Sequence, residues 1–271
     1  MSARYDCADT QQQREEGLAA AATAAQEGEL VVLPTDTVYG IGADAFNPQA
    51  VTALLAAKGR GRNMPPPVLV GSVSAAAALT ESLGAFGQDL IDEFWPGPLT
   101  LVFRSSPTLM WDLGDTLGTV AVRMPLHPVA LDLLRRTGPM AVSSANRHGM
   151  AAATTVDEAQ DQLGEAVQVY LDSGPCADSV PSTILDLTGT VPKLLRAGAL
   201  SIDDLRKVVP VIDLPTASPA PELSPADRRA AAAIAAANAA AAAKQAGQAP
   251  QAPQAEPPEP AEPADDSSPS D

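Results

Sequence analysis

The sequence predicts an α/β fold: a twisted, mixed and largely parallel sheet with helices on its faces. Three observations predict it. Through residue 207, apolar runs of strand length alternate with longer stretches of helical pattern. The helical stretches carry their own start and stop signals. The apolar runs empty into polar loops, and sheets of this class place ligands where such loops converge, outside the strand ends.

Residues 10–27 read as a helix, with Asp9 or Thr10 as cap and Gly28 past its end. "LVVL" at 30–33 is a strand. "NPQAVTALLAAKG" (47–59) is a helix with Asn47 as N-cap and Pro48 at the first helical position. "PVLV" (67–70), "PLTLVF" (98–103) and "TVAVRMP" (119–125) are strands, the last followed by a helix at 128–136. "MAVSSAN" (140–146) is a strand that ends in a polar loop. "TVDEAQDQLG" is helical, while "VQVYLD" (167–172) and "STILDL" (182–187) are extended.

Composition places a boundary near residue 208. Residues 1–207 form the folded domain; residues 208–271 are an Ala/Pro-rich acidic tail with little to bury, expected to be mostly disordered. The net charge is −16, and the first 207 residues hold 14 basic and 24 acidic side chains. That balance argues against a protein that coats nucleic acid through its phosphates. Cys7 and Cys176 form no CxxC pair, and no carboxylate cluster marks a metal site. Without a signal-peptide core or a run of membrane-spanning length, the expectation is a cytoplasmic protein with no membrane partner.

Chemistry concentrates at predicted element ends. "VVLPTDTVYGIGADAF" (31–46) sends a buried strand into Thr35, Asp36, Thr37 and Tyr39. "KGRGRNMPPP" (58–67) ends a helix with Lys58, Arg60 and Arg62, and "SSAN" (143–146) is followed by Thr154. Arg123 ends an apolar strand, Ser182 opens another, and Arg196 stands in "LLRAG". Lys58, Arg60, Arg62, Arg123, Arg147 and Arg196 are six of the 14 basic residues in this region, and in one cleft they suit a polyphosphate. Each signal has a plainer reading. A basic run after a helix is ordinarily a solvated last turn, and "SSAN" alone is an ordinary turn. "GIGADA" lacks the third glycine of a dinucleotide fingerprint, and "FWPGP" reads as a turn packing Phe94 and Trp95. The two histidines, His127 and His148, do not suggest a triad.

Taken together and in order, "LPTDTVYGIGADA", "AAKGR", "FWPGPLTLVF", "TVAVRMPLHP", "SSAN" with Thr154, "PSTILDL" and "LLRAGAL" resemble the YrdC-like threonylcarbamoyl-AMP synthase family over residues 20–207. The resemblance implies a deep basic cavity in the sheet. It also implies a reaction: L-threonine, bicarbonate and ATP give threonylcarbamoyl-AMP and pyrophosphate for the t6A modification of tRNA. Catalytic roles then fall on Lys58 and Arg60. ATP contacts fall on Arg60, Thr119, Asn146, Thr154 and Arg196, and threonine contacts on Thr35, Arg123, Ser144 and Ser182. Mg2+ is expected to arrive with ATP. The resemblance also implies tRNA and the downstream threonylcarbamoyl-transferase machinery as partners. The chain resembles the short, single-domain form. It departs from the pattern at Gly71, where a histidine is expected, and its linker after KxR is two residues longer, leaving open which of Arg62, Asn63 or Met64 meets ATP. Two alternatives stand beside this reading. One is a non-catalytic RNA-binding protein of the same fold. The other is a carbamoyl-adenylate activity on a different acceptor.

Overall fold

A computed structural model of the protein describes residues 2–176, 180–209 and 211–214. The expected tail from residue 215 onward lies outside the described residues. Among the described residues ten strands form one sheet: β1 (Ala3–Asp6), β2 (Val31–Leu33), β3 (Gly40–Asp44), β4 (Val68–Leu69), β5 (Leu99–Arg104), β6 (Thr119–Arg123), β7 (Met140–Ser144), β8 (Val169–Asp172), β9 (Thr183–Asp186) and β10 (Lys193–Arg196). Seven helices accompany them: α1 (Gln11–Gln26), α2 (Pro48–Lys58), α3 (Val73–Leu79), α4 (Gly84–Phe94), α5 (Pro128–Thr137), α6 (Val156–Leu163) and α7 (Ile202–Val208).

The strand order is β1-β8-β2-β3-β7-β4-β6-β5-β9-β10. Among the described residues, β1–β8, β2–β8, β4–β6 and β5–β9 pair in parallel, and the other five neighbouring pairs are antiparallel. The sheet is therefore mixed. Helices cover both faces, so strand residues of both parities are buried: Val31, Val32 and Leu33 are all sealed from water. On one face α1 and α5 bring Leu18, Ala21, Val129 and Leu133 against Val31, Leu33 and Val142. On the other, Leu54, Leu90 and Ile91 from α2 and α4 pack with Val32, Ile41 and Leu101. At about 25 cal/mol per Å2 of apolar surface removed from water, side chains of this size each contribute roughly 1.5–3 kcal/mol.

The helix ends follow the sequence signals. Thr10 caps α1 and Asn47 caps α2, its side chain accepting from the backbone N–H of Gln49 and Ala50. Gly59 ends α2 at φ 65°, a left-handed geometry that glycine takes without strain, and so starts the loop carrying Arg60. The pattern reading did not mark β1, β3, β10, α3, α4 or α7. The described fold also continues past residue 207: Val209 and Ile212 are buried, and Asp213 exchanges backbone hydrogen bonds with the β10 edge.

Candidate active site

A cavity of about 380 Å3 opens on the sheet, walled by residues from the β2–β3 connection, the α2–β4 loop, β5, the ends of β6 and β7, the start of β9 and the end of β10. Its wall also includes the mid-sheet residues Leu69, Val142 and Ile184. It thus reaches across the strands instead of lying beyond one row of strand ends. The antiparallel pairs explain this, because they bring strand starts and strand ends to the same region.

Seven of the sequence-selected residues stand on the wall: Thr35, Arg60, Arg123, Ser144, Asn146, Ser182 and Arg196. Three are arginines, and among the described residues no Asp or Glu lines the cavity. Burial pulls all three guanidinium pKa values below their usual range, and for Arg196 the neighbouring Arg123 and Arg60 add to the effect. Arginine stays charged regardless, so the shift records positive charge that an incoming anion would relieve.

Each arginine is aimed by its surroundings. Arg123, 6% exposed, donates from Nε to the Gly97 carbonyl (2.9 Å), from Nη1 to Thr37 Oγ1 (3.1 Å) and from Nη2 to Asp36 Oδ1 (2.6 Å). Of its five N–H groups two remain, one on each terminal nitrogen, a fork suited to a carboxylate. Arg196 donates from Nε and Nη2 to the Ser182 carbonyl (3.0 and 2.7 Å) and from Nη2 to Ser182 Oγ (3.0 Å), leaving Nη1 uncommitted. Gly198 permits this approach, since a Cβ there would collide with the Pro181 carbonyl and the Ser182 backbone. Arg60 gives one hydrogen bond from Nη1 to Ser143 Oγ (3.1 Å), and its Nε is buried without a partner.

Four other expectations change. Lys58 does not reach the cavity. It is fully buried, and its Nζ faces the carbonyls of Ser144 and Asn146 and Asn146 Oδ1 (3.3 Å), an acceptor for each hydrogen of the protonated amine. It lies beneath the loop of Ser144 and Asn146, because α2 ends with this side chain turned inward. Thr119 and Thr154 also stand outside the wall: Thr119 donates to the Thr116 carbonyl (2.8 Å) and Thr154 to Glu158 (3.0 Å). Thr35 lines the cavity with a saturated hydroxyl, which donates to the Val38 carbonyl (2.6 Å) while accepting from Thr37 N and Thr37 Oγ1.

None of Arg62, Asn63 or Met64 is on the wall; Pro65 and Pro67 are. Arg62 turns outward into a two-pronged pair with Asp112 (2.8 and 3.0 Å) and also approaches Asp115. Gly71 lies against α5, where a Cβ would come within 3.2 Å of the Arg135 nitrogen. Asp36, Thr37 and Ser143, which the sequence motifs contain without a ligand role, join the site, as does Thr100, which sequence reasoning missed. Asp36 was visible in "PTDT" as an acid beside hydroxyls, and Thr100 as a lone hydroxyl inside an apolar strand.

Fold and site together define an α/β protein with a cationic cavity sized for a small, strongly anionic ligand. The chain belongs to the Sua5/YciO/YrdC family, whose model, described as "Telomere recombination", matches residues 23–198. A Mycobacterium tuberculosis protein named as a candidate threonylcarbamoyl-AMP synthase is 53% identical over 78% of this chain and 97% of its own length. The threonylcarbamoyl-AMP synthase of Bacillus subtilis is 37% identical over 71% of this chain and 56% of its own. Among solved structures, that of P. abyssi Sua5 complexed with L-threonine superposes with a TM-score of 0.73 at 33% identity, covering 79% of this chain and 62% of that one. The chain thus spans just over half of the longer relatives. E. coli YciO, at 21% identity and a TM-score of 0.68, shares the fold.

Proposed function

We propose that the protein is an L-threonylcarbamoyladenylate synthase, consuming L-threonine, bicarbonate and ATP and releasing pyrophosphate. The observation that carries the reading is the wall itself, three directed guanidinium groups with no acidic side chain beside them among the described residues. Relatives named for this activity support it, one of them over nearly its full length. The uncommitted fork of Arg123 takes the threonine carboxylate. Arg60 and Arg196 take the phosphates, with Asn146 beside them. Ser144 offers a hydroxyl to the amino acid, and Ser182 stands on the side of its amine. Catalysis by such a site is positioning and charge stabilisation, without a covalent nucleophile. Lys58 then supports the loop of Ser144 and Asn146. Among the described residues no group of three His, Cys, Asp or Glu side chains could hold a metal. Magnesium, where ATP carries it, is held by phosphates and water. The product would serve tRNA modification, with a downstream transferase as the partner. Among the described residues no helix is long and apolar enough to cross a membrane.

The test is pyrophosphate release by the purified protein with threonine, bicarbonate or ATP omitted in turn. Release that requires all three is expected. A folded protein that binds RNA without any release would favour the non-catalytic alternative. Arg196→Ala should lower kcat/KM by at least about a hundredfold, since the loss of a positioned charge in a dry site costs roughly 3 kcal/mol. Turnover near wild type would remove Arg196 from the site.

A further inference from the structure

We propose that Thr100 and Ser182 together form the subsite for the carboxyl group the enzyme incorporates, first as bicarbonate and then as the carbamate made from it. This deepens the synthase reading and rests on it. Thr100 is 2% exposed between Leu99 and Leu101 in β5, yet it stands on the cavity wall. A hydroxyl so placed is costly unless hydrogen-bonded, and its partner is Ser182 Oγ at 2.8 Å.

A count of hydrogens shows what the pair can do. Two hydroxyls carry two hydrogens, and one lies between them. Ser182 Oγ also accepts from Arg196 Nη2, so that contact uses none. Among the described residues no protein acceptor takes the second hydrogen. The Thr35–Thr37 pair is the contrast. Thr35 donates to the Val38 carbonyl and accepts from Thr37, so both hydrogens there are spent inside the protein. Thr100 and Ser182 are a donor awaiting an acceptor.

Position identifies the acceptor. β5 and β6 pair Leu101 with Val122, and continuing that register by one residue sets Thr100 opposite Arg123. On its other side Thr100 pairs with Ile184 of β9, and Ser182 two residues earlier holds Arg196. The hydroxyl pair thus lies between the arginine assigned to the threonine carboxylate and an arginine assigned to the nucleotide. The chemistry requires one group between these two. The amine nitrogen bonds the bicarbonate carbon, and water leaves with the hydroxyl oxygen and a proton from nitrogen. A carbamate oxygen then bonds the α-phosphorus, and pyrophosphate departs with the electrons of the broken P–O bond. An O–H donated to one carboxyl oxygen leaves the other free to face phosphorus.

The experiment compares wild type with Thr100→Val and Thr100→Ser, varying each substrate in turn in the pyrophosphate assay. Calorimetry measures threonine and ATP binding in the absence of bicarbonate, and Tm is recorded for each protein. In Thr100→Val the bicarbonate KM should rise about tenfold, the expected loss for one hydrogen bond to a charged group. Threonine and ATP binding should stay within about twofold, and Thr100→Ser should restore the bicarbonate KM. A raised threonine KM with unchanged bicarbonate KM overturns the proposal, as does a Thr100→Val enzyme indistinguishable from wild type. Should Thr100→Val fail to fold, Thr100→Ala takes its place under the same criteria. A wild type that releases no pyrophosphate overturns the synthase reading itself, so the two failures are told apart.

Discussion

Asp36 holds Arg123 with a charge that does not line the cavity. Its Oδ1 accepts from Arg123 and from the Leu126 N–H (2.9 Å), and the carboxylate is largely buried. Asp36→Asn removes the charge while keeping an acceptor in place. It should weaken threonine binding about tenfold with ATP binding little changed, read by calorimetry; equal losses for both ligands would contradict the arrangement. Lys58 offers a pH test. Burial, and then the charge of Arg60, push its pKa from the ordinary 10.5 to about 7. The unfolded chain therefore holds this proton where the folded chain has released it, and stability gains as pH rises from about 7 to 10.5. Lys58→Met lacks that contribution, so the stability of wild type relative to the variant should increase with pH over this window, measured by denaturant titration. A difference independent of pH would refute the shift. The two residues also differ in legibility. A charge ending an apolar strand marked Arg123 as unusual in the sequence. Lys58 read as a solvated helix end, because nothing in a one-dimensional pattern tells whether a last-turn lysine turns out to water or in beneath a loop.

The loop between α2 and β4 is shaped from outside the cavity. Arg62 pairs with Asp112, and the Arg62 carbonyl accepts from the Asp115 N–H (2.8 Å), tying this loop to the β5–β6 connection. Both partners are well exposed, so the side-chain pair adds little to the stability of the fold. Arg62→Ala should shift Tm by only a few degrees and leave the ATP KM within about threefold; a large rise in that KM would return Arg62 to the nucleotide. At this scale most long elements were legible. Asn47 and Pro48 announced α2, and the apolar runs announced β2, β5, β6 and β7. β3 was not, because Gly40 and Gly42 suggest a loop. They stand in a strand because a Cβ at Gly40 would meet Val142 of β7 at 2.7 Å. α3 is only seven residues long, although Ser72 caps it by accepting from the Ala75 N–H, and α4 starts after Leu83 with no side-chain cap.

For the whole molecule, buried Ile212 and the backbone hydrogen bonds of Asp213 carry the described packing past residue 207. We propose residues 1–214 as the catalytic unit. That fragment should keep its Tm within a few degrees and its pyrophosphate release within about twofold; loss of release would make the remainder part of the enzyme. The outside of the molecule and its cavity carry opposite signs. The chain has a net charge of −16, while the cavity wall holds three arginines. In dilute buffer an approaching nucleotide is repelled by the protein as a whole before it comes near enough to feel the arginines. Near 0.1 M salt the repulsion is screened beyond about 10 Å, whereas the short contacts inside the cavity persist. Capture of the anion should therefore speed up as salt is first added, the reverse of the trend for a basic nucleotide-binding protein. Stopped-flow mixing with a fluorescent ATP analogue across 10–100 mM salt would register that inversion.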